Sequence, residues 1–425
     1  MESISKCFAA APPGEATDKS NAIIATTVVT TVALLSLARF SLWPRKPEII
    51  RGPLTTSLPR LSEAERAAIP YQPDHFPGAR DVETPYGNIR VYEFGPEDGR
   101  KVLFIHGIST SCMTLTHIAK PLAEKGCRVM LFDLFGRGYS DAPGDLPYDT
   151  RLFTTQILLV LASSPLAWTG DGALSLVGYS LGGGIAANFA AAFPRLVDTL
   201  VLLAPSGLIR PENIGRASRL VFTSGLVPER LLAWLTHRRL RTPIDEAVAK
   251  RPRRHGNNGA TATVTATQEV AGKDKEKEDY IDVAVQEAVE AEADPAPTPF
   301  ELQIASFVHW SLDHNAGFVP AMMSTIRSAP LMGQGESWRP LARRGPARTA
   351  VLLGEHDALV QRRDYEEDAL PLLGGPRNVF WRVLPGSHNF PFTHGEFAVR
   401  AIEEFWRAGA GGEGGEGKGG GEGAE

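Results

Sequence analysis

"LSLVGYSLGGGIAANFAAAFP", residues 174–194, sets a serine between spaced glycines, with an apolar run before it and an alanine-rich run after it. The apolar run reads as a buried strand, and the alanine-rich run as the helix that follows. Ser180 then falls on the turn between them. A turn that sharp crowds the positions two before and two after, and these are Gly178 and Gly182. The turn also aims the amide of Leu181 and a helix N-terminus at the space before the hydroxyl, which favours a developing oxyanion there. A Gly-rich strand–helix joint has the same letters, so the rest of the chain must decide.

The rest of the chain repeats the strand–helix rhythm. "DVETPYGNIRVYEFG" (81–95) reads as a hairpin turning at Tyr86-Gly87-Asn88. "KVLFIHG" (101–107), "CRVMLFDLFGRGYSD" (127–141) and "VDTLVLLAPSG" (197–207) are apolar runs that suit buried parallel strands. "HIAKPLAEKG" (117–126), closed by Gly126, and "TRLFTTQILLVLASSP" (150–165) read as helices between them. After a break, "RTAVLLGEHDALV" (348–360) and "NVFWRVLPGSHNFP" (378–391) resume the strands, and "GEFAVRAIEEFWRA" (395–408) is a closing helix. The alternation predicts an α/β fold with a doubly wound, mostly parallel sheet. The core is expected at 81–207 and 326–407. The break at Leu208 opens a helical insertion over 208–325. Within it, 251–298 is dense in charge, Ala and Thr and poor in aromatics, so it is expected to be disordered. The tails 1–20 and 408–425 are expected to be disordered too. Residues 44–80 read as a linker lying on the domain, with a short helix near 62–69 in which Ser62 and Glu65 form a capping box.

Composition bounds the function. The 425 residues are 43% hydrophobic and 22% charged, with a net charge of −5. That is enough for one large α/β domain with appendages, or for two domains. With no basic excess, no nucleic-acid partner is expected. Cys7, Cys112 and Cys127 make neither a disulfide framework nor a CxxC metal pair, and no Asn-x-Ser/Thr occurs. Both observations favour a reducing, cytosol-facing location. Residues 21–43, "NAIIATTVVTTVALLSLARFSLW", carry no charge from Ala22 to Ala38. They read as a transmembrane anchor, with a signal peptide or a buried helix as rival readings. The positive excess after the segment predicts a single-pass membrane protein with its main domain in the cytosol.

A serine hydroxyl needs a base, and the base an orienting acid. His388, in "LPGSHNFPF" after the last apolar strand, stands at the same sheet edge as Ser180, with His394 as its rival. His309 and His314 fall in the inserted helices and read as packing residues. "TAVLLGEHDALV" offers Asp357 as the acid, with Glu355 as the alternative. "FIHGIST" offers a second oxyanion donor, the amide of Ile108, on a turn that Gly107 permits and His106 stabilises. In "FDLFGRGYSD" (132–141), Asp133, Gly136, Arg137, Gly138, Ser140 and Asp141 read as a loop-stabilising network, Asp133 also being a minor candidate acid.

The order Ser180, Asp357, His388, with His106-Gly107 and the "DLFGRGYSD" loop, resembles the α/β-hydrolase superfamily. Within it the chain looks like the lidded serine hydrolases, such as monoacylglycerol lipases and carboxylesterases, and like membrane-anchored hydrolases with one N-terminal helix. The resemblance implies an eight-stranded sheet and a helical lid after the sixth strand, matching the break at Leu208. Epoxide hydrolases and haloalkane dehalogenases share the lid but use aspartate as nucleophile, and Ser180 argues against both. Ser387 stands where a glycine often precedes the histidine. The expectation is a serine hydrolase of carboxylic esters, lipid esters among them, without metal or cofactor. Acyl transfer, thioester or amide cleavage, or a non-catalytic membrane-tethered binding protein are the alternatives.

Overall fold

The computed structural model describes residues 24–35, 47–211, 229–240 and 298–412. The expected tails at 1–20 and beyond 412, and nearly all of 251–298, lie outside the described residues. The chain divides into two units, Met1–Pro47 and Glu48–Glu425.

In the first unit residues 24–35 form a helix whose Thr30 hydroxyl donates to the Thr26 carbonyl at 2.7 Å. The expected transmembrane helix over 21–43 is not supported. Among the described residues no helix is long and apolar enough to cross a membrane. Four threonines in the middle of the 24–35 helix dilute its apolar surface. The anchor, and the membrane contact inferred from it, therefore have no support in the fold.

In the second unit eight strands form one sheet. They are β1 (Ala79–Val82), β2 (Ile89–Phe94), β3 (Arg100–Ile105), β4 (Cys127–Phe132), β5 (Leu174–Tyr179), β6 (Val197–Leu203), β7 (Thr349–Gly354) and β8 (Val379–Leu384). Their spatial order is β1-β2-β4-β3-β5-β6-β7-β8. Only the β1–β2 and β2–β4 pairs are antiparallel; β3–β4, β3–β5, β5–β6, β6–β7 and β7–β8 are parallel. Every residue of β5 and β7 is buried. Helices cover both faces of such a sheet, so its central strands are apolar throughout rather than alternating.

The helices that connect the strands are α1 (Thr116–Glu124), α2 (Thr150–Ala162) and α3 (Leu181–Ala192). Between β6 and β7 come α4 (Glu229–Leu240), α5 (Pro299–His314) and α6 (Phe318–Ser328); α7 (Arg362–Leu372) and α8 (Gly395–Gly412) complete the fold. Asp149 starts α2 by accepting from the amides of Arg151 and Leu152. Thr298 and Glu301 form a reciprocal box at the start of α5, and Ser62 and Glu65 form the expected box in the N-terminal segment. Helix α8 runs past Ala408, where the closing helix was expected to end.

Residues 47–80 differ from the expected surface linker. Ile49–Ile50 pair antiparallel with Ala142–Pro143. Tyr71 and Phe76 are fully buried, and their rings lie 6.3 and 5.3 Å from that of Tyr92. The segment supplies part of the core, although no periodicity in it announces that.

The strand order fixes where a site can form. From β3 the chain crosses to β4 on one side, and β5 then adds on the other. The loop after β3 and the turn after β5 flank this switch point, where open α/β sheets leave a crevice.

Candidate active site

Ser180 joins β5 to α3 with φ 52° and ψ −118°, a left-handed conformation rare for a side-chain-bearing residue. The turn is held from all sides. Its N–H donates to the Leu203 carbonyl at 3.0 Å, and its carbonyl accepts from Gly183, Gly184 and Ser206. These bonds offset the strain of the backbone.

The glycines around it are required by close approach. A Cβ on Gly178 would lie 2.2 Å from the Gly182 carbonyl oxygen. A Cβ on Gly182 would lie 2.1 Å from the oxygen of Ile105 and 2.7 Å from that of His106. The first turn of α3 thus abuts the end of β3, and Leu181, first residue of α3, is carried to the loop that holds Ile108.

Ser180 Oγ lies 3.0 Å from His388 Nε2. His388 Nδ1 lies 2.8 Å from Asp357 Oδ2. The other oxygen, Asp357 Oδ1, accepts from the amides of Leu359 and Val360 at 2.9 and 2.7 Å. A carboxylate held on both oxygens presents one fixed face to the imidazole. All three side chains are buried, at 4% (Ser180), 1% (His388) and 7% (Asp357) exposure, so bulk water screens their interactions little.

The loops carrying acid and base are joined past the ends of their strands. Glu355 N–H donates to the Leu384 carbonyl at 2.8 Å, and His356 N–H to that of Gly386 at 3.0 Å. Gly354 permits this contact, since a Cβ there would lie 2.3 Å from the Ser387 oxygen. Sequence reasoning passed over Gly354. Its signal is a glycine closing the apolar run "TAVLLG" just before the acidic loop.

His106 has a defined tautomer. The Leu134 N–H donates to its Nε2 at 2.9 Å, so that nitrogen is an acceptor and the proton sits on Nδ1. Nδ1–H then donates to the Gly107 carbonyl at 2.9 Å. That carbonyl belongs to the same peptide plane as the Ile108 N–H, so His106 orients the plane. Arg137, fully buried, holds the next plane by donating from Nε to the Ile108 carbonyl at 2.9 Å. Its position in the 132–141 loop did not reveal this reach.

The remaining candidates lie apart from the hydrogen-bonded trio. Glu355 is exposed. His394 bonds its neighbour Thr393. His309 sits on α5, and the His314 ring stacks on Trp310 at 4.7 Å between centroids. Asp133 is wholly buried and accepts from the amides of Cys112 and Tyr139, both at 3.0 Å. Burial pushes its carboxyl up to about 6, against the two amide bonds. Ser140 and Asp141 bind the surrounding backbone, Ser140 Oγ donating to the Asp133 carbonyl and Asp141 accepting from the amides of Gly52 and Asn88. That loop is a structural network around the sheet edge.

Chemically, the trio offers a hydroxyl with an imidazole beside it and a fixed carboxylate behind it. The first amide of α3 and the loop after β3 stand beside the hydroxyl.

A family model for the alpha/beta hydrolase fold matches residues 101–269. An uncharacterized protein of Mycobacterium tuberculosis is 30% identical over 154 residues, 36% of this chain and 42% of that protein. A serine hydrolase-like protein of Dictyostelium discoideum is 34% identical over 128 residues, 30% of this chain and 34% of that one. The chain thus spans less than half the length of these curated relatives. Naproxen esterase (carboxylesterase NP) from Bacillus subtilis superposes with a TM-score of 0.51 at 16% identity, covering 77% of this chain and 90% of that one. Sheet topology and these matches agree: the chain has the alpha/beta hydrolase fold, with serine hydrolase-like relatives and an esterase among its structural neighbours.

Proposed function

We propose that this chain is a serine hydrolase that cleaves carboxylic esters by an acyl-enzyme route, with lipid esters such as monoacylglycerols as its substrates. One observation carries the reading: a strained serine whose Oγ is 3.0 Å from a buried imidazole, itself 2.8 Å from a carboxylate.

In this reading Ser180 Oγ attacks the carbonyl carbon while His388 Nε2 takes its proton. The carbonyl π pair moves to oxygen, where the amides of Leu181 and Ile108 receive the charge. The intermediate collapses, the C–O bond to the alcohol breaks, and the leaving oxygen takes the proton from His388. Water then repeats the sequence on the acyl-serine and releases the carboxylic acid. Asp357 holds the imidazole tautomer and stabilises the imidazolium without taking the proton.

The lipid assignment rests on the insertion after β6, read as a lid. Its helices bring Phe307, Phe318, Met322 and Met323 into the core, and α4 leaves Leu231 and Trp234 exposed at 46% and 54%. The serine hydrolase-like relatives agree with the class of nucleophile.

A fluorophosphonate probe tests the nucleophile. Wild-type protein is expected to label and Ser180→Ala to remain unlabelled; a folded wild type that does not label overturns the proposal. Esters of increasing chain length, with Ser180→Ala as control, test the substrate class. Preference for short soluble esters and indifference to monoacylglycerol defeats the lipid part and leaves the esterase intact.

A further inference from the structure

A second feature lies at the other end of the sheet. A cleft of about 410 Å³ opens where Gly172 precedes β5, Val197 starts β6 and Arg348 precedes β7. Ser180 follows the far end of β5. At about 3.3 Å per residue the two places are roughly 25 Å apart. The cleft is lined by Arg195, Arg343, Arg344 and Arg348, with Asp198 as its one acidic residue.

Internal pairing accounts for only part of this charge. Asp198 takes Arg348 and, at 3.3 Å, Arg100 from outside the cleft. Arg195 lies on Asp171 at the surface. The Arg343 side chain makes no hydrogen bond or ion pair among the described residues. Arg344 is held by the backbone instead, one terminal nitrogen donating to the carbonyls of Val197 and Asp198 at 2.9 Å each. Those bonds fix its guanidinium at the mouth of β6. Its Nε is buried and has no hydrogen-bond partner. A buried donor of a charged group left in that state is costly unless a ligand meets it. Burial holds the Arg344 guanidinium down to about 10, Asp198 working against the shift and Arg348 adding to it. The negative charge of an anion in the cleft would oppose that shift, as Asp198 does.

We propose that this arginine cleft is a binding site for a phosphate monoester, separate from the Ser180 site. A guanidinium presents planar paired donors that match phosphate oxygens, and several converging arginines suit a dianion better than a single carboxylate. The other walls are proline, valine, alanine and glycine, which leave room for a small organic group beside the phosphate. The phosphate can belong to a soluble ester or to a lipid headgroup such as phosphatidic acid. Both present the same group to the same arginines.

Calorimetric titration of the full chain with phenyl phosphate, and co-sedimentation with equimolar phosphatidylcholine–phosphatidic acid vesicles, test the proposal. Saturable binding of at least one probe is expected. Arg343→Glu and Arg195→Glu should each weaken it by about tenfold or more, with unchanged melting temperature. Arg363→Glu, an exposed arginine of α7 outside the cleft, should not. Phenyl phosphate binding alone identifies a soluble ester; binding to the acidic vesicles alone, against pure phosphatidylcholine, identifies a headgroup. Failure of the wild type to bind either probe overturns the proposal. So does binding that Arg343→Glu and Arg195→Glu leave intact, or that Arg363→Glu weakens equally. None of these outcomes bears on fluorophosphonate labelling of Ser180, so the two readings fail separately.

Discussion

Arg137 Nε donates to the Ile108 carbonyl at 2.9 Å, from a guanidinium with no exposed surface. Its other nitrogens donate to the Phe135 carbonyl at 3.2 Å and to Thr325 Oγ1 of α6 at 2.8 Å. One side chain thus ties the loop after β3 to the loop after β4 and to the insertion. Arg137→Met removes these bonds. The expected loss of stability is roughly 2–4 kcal/mol by urea unfolding. If the Ile108 amide binds an oxyanion, kcat should also fall by about tenfold or more at temperatures where both proteins are folded. A destabilised variant with unchanged kcat would confine Arg137 to holding the fold.

Gly182 faces backbone, which cannot swing aside as a side chain can. Its missing Cβ would sit 2.1 Å from the Ile105 oxygen, on a strand paired on both edges. Gly182→Ala therefore has to push α3 away from β3, and Leu181 moves with it. Loss of fluorophosphonate labelling together with a lowered melting temperature is expected. Gly333→Ala serves as a comparison for backbone strain alone: it has a φ of +68° and nothing within 4 Å of a Cβ. It should cost about 1 kcal/mol and leave labelling unchanged.

The parts legible in the sequence are those that local chemistry decides. Apolar runs such as "KVLFI" and "TAVLL" become β3 and β7 because strands covered on both faces need no polar residue. Choosing between Glu355 and Asp357 needed more than residue type. The Glu355 N–H still bonds β8, at the Leu384 carbonyl, so that residue continues the ladder with its side chain exposed. Asp357 lies beyond the ladder, in the turn that faces His388. Where the ladder ends depends on a strand some thirty residues later, which no local pattern encodes. The same holds for Tyr71 and Phe76. Their burial depends on Tyr92, and the proline-rich stretch around them carries no period. In the 21–43 segment the apolar count suggested a span, which no helix among the described residues supports.

Asp133 gives a pH test with a definite sign. Its carboxyl is raised from 3.8 to about 6, chiefly by burial. Between those values the folded chain keeps a proton that the unfolded chain has lost. The contribution of this group to stability is therefore greatest below pH 4 and declines as pH rises towards 6, by about 3 kcal/mol in all. Asp133→Asn does not titrate, and its amide oxygen can accept only one of the Cys112 and Tyr139 N–H groups. The measurement is the difference in urea unfolding free energy between wild type and variant. That difference should shrink as pH rises from 4 to 6 and stay level above 7. A constant difference across the range would mean that Asp133 does not titrate in this window.

Asp357→Asn separates orientation from charge. Oδ1 of Asp357 accepts two amides, those of Leu359 and Val360, while Oδ2 faces His388 Nδ1. An asparagine must turn its oxygen to the two amides, which leaves its NH2 pointing at Nδ1. Nδ1 then has to accept, and the imidazole proton moves to Nε2, the nitrogen 3.0 Å from Ser180 Oγ. The base that would take the serine proton is gone, although every atom stays in place. kcat should fall by about 10⁴-fold, the scale seen when a triad acid is replaced in this way. Melting temperature should change little, since the backbone bonds survive. Activity of the variant should rise with pH, as hydroxide takes the serine proton in place of the ring. An activity within tenfold of wild type would show that His388 does not depend on Asp357 for its tautomer, and would assign the acid's part to another group.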